Sequence, residues 1–84
     1  MLALRELKGI ERGDEALYLR FSHLPIARTK TFAKGELNVD LDRYNEVVGI
    51  EVLSLGPAET KALAEVAAEH RLSLDLLAHA TKNT

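Results

Sequence analysis

The sequence predicts an α+β fold: an antiparallel β-meander of four to five strands with a C-terminal helical hairpin packed on one face. Three observations predict it. Residues 16 to 22, ALYLRFS, alternate apolar and polar side chains, and so do residues 36 to 42 and 46 to 53. A turn-forming segment around Asn45 separates the last two. Beyond Gly56-Pro57 the period of two gives way to helical spacing.

The elements follow in order. RELKGI (5 to 10) reads as a weak strand, and ERGDE supplies a turn through Gly13 and Asp14. Leu17, Leu19 and Phe21 form one face of the strongest strand, with Tyr18, Arg20 and Ser22 on the other. SHLPIA is a loop, because Pro25 lacks an N–H and drives Leu24 to extended geometry. ARTKTFA (27 to 33) is rich in Thr and reads as extended, and Lys34-Gly35 suits a tight turn. Residues 57 to 70 form a helix, with Pro57 at its first position and Glu59 at the positive end of its dipole. Ser73 is placed to cap a second, short helix with Asp75 in its first turn and Leu72, Leu74, Leu76, Leu77 and Ala80 around it. The whole reads as one domain, 1–84, with the meander in 1–55 and the helices in 56–84.

Register can be set from the hydrophobic pattern. A three-residue loop with Asn45 as its bulge residue puts Asp42 opposite Glu46 and Asp40 opposite Val48, mixing carboxylates with the apolar set. A two-residue turn at Tyr44-Asn45, or a four-residue loop over 43 to 46, instead pairs Leu41 with Val48, Val39 with Ile50 and Leu37 with Val52. Asn38 then faces Glu51, Asp40 faces Gly49 and Asp42 faces Val47. The second register is the expected one.

The totals restrict function. A chain of 84 residues buries only roughly 60–65% of its unfolded surface, so its core is thin and a partner subunit would help it. Net charge is −2 with no basic face, which argues against nucleic acid as a partner. There is no Cys, so disulfides, thiolate chemistry and Cys-based zinc sites are excluded. No signal peptide and no apolar run of about 20 residues is visible, which points to a soluble cytoplasmic protein with no membrane partner. The absence of Gln and the abundance of Ala, Leu, Glu and Arg lean toward a thermophilic source.

DEALYLRFS followed by LNVDLDRYNEVVGIEVL resembles a family of small prokaryotic proteins, the domain of unknown function twenty-two eighty-three. Ala16, Leu17, Tyr18 and Arg20 match its first part, and Ala27, Arg28 and Thr29 its spacer. Asn38, Val39, Asp40, Asp42 and the run from Val47 to Glu51 match the last. The resemblance covers roughly residues 6 to 54, and Asn45 stands where the family usually has a turn glycine. It implies no activity, substrate or cofactor. By analogy with relatives beside toxin-like genes, it implies a toxin-neutralising role.

Two classes of site compete. Asn38, Asp40, Asp42 and Glu51 share the wet side of the hairpin, where Asp40, Asp42 and Glu51 are the candidate ligands of a divalent metal. Against that, DLDRYN has one residue too many for a calcium loop and lacks its glycine, and ligands along a strand diverge. The plain alternative is a solvated face, with Arg20 and Arg28 pairing Asp40 or Glu51. The other class is an interface. Tyr18, Val47, Gly49, Leu53 and Leu55 belong to the face away from the helices, and Gly49 opposite Asp40 leaves a bare patch open to Tyr18 or another chain. Tyr18, Arg20, Val47, Gly49, Glu51 and Leu53 are the expected contacts there, and Leu74, Leu76 and Leu77 form a second candidate patch. His23, His70 and His79 are not at metal spacing. AEVAAEHRLSLDLLAHA has the outline of a helix-turn-helix, but its second helix offers almost no donors for bases or phosphates. The expectation is therefore a non-catalytic interaction module without cofactor, a homo-oligomer or the subunit of a small protein partner. An ion-binding module or metal-dependent enzyme is the alternative.

Overall fold

The structure is a computed structural model that describes residues 4–75. Its centre is a five-stranded antiparallel sheet. The strands are β2 (Gly9–Arg12), β3 (Leu17–Arg20), β4 (Arg28–Phe32), β5 (Leu37–Leu41) and β6 (Val47–Val52), in spatial order β2-β3-β6-β5-β4. One helix, α1 (Pro57–His70), packs on one face. A short parallel pair, β1 (Arg5–Glu6) with β7 (Leu72–Ser73), ties the start of the described chain to the segment after the helix.

The sheet is antiparallel as expected, but it is not a plain meander. The chain leaves β3, crosses to the far edge as β4, and returns through β5 so that β6 fills the slot beside β3. Composition explains the order. VVGIEV of β6 is buried at five of its six positions and takes the centre. RTKTF of β4 is exposed at its first four residues and forms an edge, where Lys30 hinders pairing with another strand.

Leu19, Val39, Ile50, Val52 and Leu37 meet across neighbouring strands on the inner face, and Leu63 and Val66 of α1 cover them. Leu7 and Leu72 close the same cluster. RELKGI is therefore not one strand: Leu7 and Lys8 separate two, and each belongs to a different sheet.

Helix α1 starts at Pro57, as expected, with Glu59 in its first turn. It ends at Arg71, whose φ of 54° is left-handed and whose N–H bonds the Ala67 carbonyl. The chain then runs extended through Leu72–Ser73, where the start of a second helix was expected. Among the described residues α1 is the one complete α-helix, so a helical hairpin is not supported there, and a short strand stands at Leu72–Ser73. The rest of the expected second helix, including Leu76 and Leu77, lies outside the described residues.

The β5–β6 hairpin combines both registers. At the turn, Asp42 N–H donates to Glu46 O (2.9 Å) and Asn45 N–H to Asp42 O (3.0 Å), with Asn45 at φ 68°. This is the three-residue loop that the hydrophobic pattern argued against. A β-bulge then makes Val48 the extra residue, so that Leu41 pairs with Val47 while Asp40 pairs with Gly49. Beyond the bulge, Asn38–Glu51, Val39–Ile50 and Leu37–Val52 are as expected. The expected pairs Leu41–Val48 and Asp42–Val47 are corrected. Asn45 tolerates the left-handed region better than Tyr44 would, and one bulge restores the buried face. The turn at Lys34-Gly35 is likewise longer, with Ala33, Lys34 and Gly35 all at positive φ. Gly35, at φ 95°, is a place where a side chain would be strained.

Candidate functional site

Alternate residues of the five strands project from the sheet face opposite α1. Glu11, Tyr18, Glu51, Asn38 and Thr31 lie in one row across the strands, and Arg20, Gly49, Asp40 and Thr29 lie in the next. Gly49 has no side chain, and the Tyr18 ring occupies the space where a Cβ would be. The ring thereby spans β6, and the Tyr18 hydroxyl donates to Asp40 Oδ2 at 2.7 Å. Thr29 Oγ1 donates to the other carboxylate oxygen, Asp40 Oδ1, at 2.6 Å.

The network runs on to both sides. The Arg20 guanidinium lies 4.9 Å from the Tyr18 ring centroid and pairs with Glu11. Asn38 Nδ2 donates to Glu51 Oε1 (3.1 Å), and Thr31 Oγ1 donates to Asn38 Oδ1 (2.9 Å). Partial burial first, and then the bond to Asp40, push the Tyr18 phenol well above its ordinary value. The hydrogen bond from Arg20 holds the Glu11 carboxyl below its ordinary range.

The expected site residues separate on this frame. Asp40 and Glu51 lie on the open face, each engaged by a neutral donor. Asp42 is buried at 4% exposure and does not join them. Its Oδ1 accepts the backbone N–H of Tyr44 (2.8 Å) and of Glu46 (3.1 Å), which makes it the residue that shapes the turn. Among the described residues no group of three His, Cys, Asp or Glu side chains could hold a metal ion. Arg20 pairs with Glu11 rather than with Asp40 or Glu51, and Arg28 bonds Asn45.

The interface candidates also divide. Val47, expected on the open face, is fully buried in the core, because the bulge turns it inward opposite Leu41. The gap over Gly49 is taken by Tyr18, one of its two expected occupants. Leu53 is 39% and Leu55 44% exposed just past β6. Leu74 packs against the core cluster, whereas Leu76 and Leu77 lie outside the described residues.

Three of the large exposed apolar side chains gather at a place that was not among the expected sites. The connection from β3 to β4 and the β5–β6 turn frame a cleft of about 370 Å³ at one end of the sheet. Leu24, Pro25 and Ile26 line one side, and Asp42, Arg43 and Tyr44 line the other. Leu24, Ile26 and Tyr44 are 50%, 52% and 63% exposed. The available signal was HLPI itself, a loop with apolar residues on both sides of a proline. Among the described residues no helix is long and apolar enough to cross a membrane.

No curated protein and no solved structure matches the chain. One family does match, over residues 12–55, which is the run from the end of β2 through the segment after β6. The match takes in Tyr18, Asp40 and Gly49 as well as both sides of the cleft, and it leaves out α1 and the β1–β7 pair. The chain belongs to this family, described as protein of unknown function (DUF2283).

Proposed function

We propose that the chain is a non-catalytic protein-interaction module, a cytoplasmic homo-oligomer or one subunit bound to another protein. One observation carries the reading: Leu24, Ile26 and Tyr44, three of its most exposed large apolar side chains, stand around a single cleft. A small domain with a thin core gains most from covering such a patch. The polar face supports the same reading from the other side. Its carboxylates are each engaged by neighbours on the same face: Asp40 by Tyr18 and Thr29, Glu51 by Asn38, and Glu11 by Arg20. The more specific version, a subunit that neutralises a small toxin-like protein, rests on family analogy.

Sedimentation velocity at micromolar concentration, on protein purified from its own host, tests the reading. The expected result is a species heavier than the 9.3 kDa monomer, either an oligomer or a complex with a co-purified protein. A strict monomer that brings no partner with it would sink the proposal.

A further inference from the structure

We infer that the end cleft takes an extended acidic segment of a partner protein, with an aliphatic side chain seated between Ile26 and Tyr44. This rests on the interaction reading above and gives it a site and a ligand chemistry.

Shape and charge carry the inference together. The floor is apolar, and a volume of about 370 Å³ suits one or two large side chains rather than a whole helix. The Arg43 side chain lines it, and Arg28 follows Ala27 of the lining. Arg43 lies 4.9 Å from the Tyr44 ring centroid and donates to the Tyr44 hydroxyl at 2.7 Å. Arg28 donates to Asn45 Oδ1 on the same turn. Both therefore rest on neutral oxygens. The ion pairs among the described residues are Arg5–Glu46, Arg20–Glu11 and His70–Glu69, and neither Arg28 nor Arg43 takes part in one. Asp42, the carboxylate of the lining, is buried and holds the turn amides, so the rim keeps a positive balance. A carboxylate from outside would find two exposed guanidiniums beside an apolar seat. A second copy docking cleft to cleft would set these arginines against each other.

The test is an amide NMR titration of the full chain with two blocked pentapeptides. One has three glutamates flanking two leucines, and the other has lysines in place of the glutamates. The acidic peptide should give saturable shifts centred on residues 24–27 and 42–45. The lysine peptide should bind at least about tenfold more weakly. Arg43→Glu and Ile26→Glu, both at exposed positions, should each abolish the shifts, while Lys61→Glu on the exposed side of α1 should leave them intact. Silence with the acidic peptide, equal binding of both peptides, or shifts centred elsewhere would each overturn the assignment. So would concentration-dependent shifts of the cleft residues without peptide, which would give the cleft to a second copy. If the chain co-purifies with a protein while the acidic peptide leaves the cleft untouched, the cleft assignment falls and the interaction reading stands.

Discussion

The Tyr18 hydroxyl reaches Asp40 at 2.7 Å by lying across the bare backbone of Gly49. One strand separates the two residues, and only a glycine on that strand lets the ring pass. The contact links β3 to β5 over β6 and joins the two halves of the open face.

Gly49→Ala should therefore displace the Tyr18 ring and break its bond to Asp40. The expected loss is about 1–2 kcal/mol in urea unfolding. In a Tyr18→Ala background the same change should cost little, because the collision is gone. Additive losses in the double variant would refute the contact as the cause.

The Tyr18 phenol should resist titration in the folded chain. Its value is raised on folding, so its contribution to stability is whole below a pH of about 10 and declines as pH rises above that. In Tyr44→Phe, where Tyr18 is the remaining tyrosine, phenolate absorbance should lag well behind that of a free tyrosine and rise with unfolding. Ordinary titration with the fold intact would contradict this.

Asp42→Ala should destabilise the chain by about 1–3 kcal/mol, because two turn amides lose their acceptor in a buried place. Asp42→Asn keeps an oxygen there and should recover most of the loss. Asp40→Ala, on the half-exposed face, should cost less than Asp42→Ala. The reverse ranking in thermal melts would refute the assignment of Asp42 as the residue that shapes the turn.

Lys34 sits at φ 56° in the β4–β5 turn, a region that penalises side chains. Lys34→Gly should raise stability by about 0.5–1 kcal/mol, or roughly 2–8 °C in Tm. The same substitution at Lys30, inside edge strand β4, should lower it.

The inward set Leu19, Leu37, Val39, Ile50 and Val52 was legible in the sequence, because period-two alternation fixes which side of a strand is buried. The same logic set the pairs from Leu37–Val52 to Asp40–Gly49. It failed at the turn, because it judged a single register for the whole hairpin. The chain changes register at Val48, and the buried Asp42 carboxylate that makes the loop favourable looks like any other acid in the text. The strand at Leu72 and Ser73 was missed for a related reason: its partner is Arg5 and Glu6, far away in sequence.

By itself, then, the sequence determined the antiparallel sheet, the inward face, the helix from Pro57 and the turn propensity of Asn45. All of these follow from local periodicity and backbone sterics. Only the tertiary structure decided that β6 lies between β3 and β5, that Tyr18 closes the gap at Gly49, and that Leu24, Ile26 and Tyr44 meet around one cleft. Those depend on which distant segments become neighbours, and strand order is set by competition among all the strands for the buried centre rather than by any one of them.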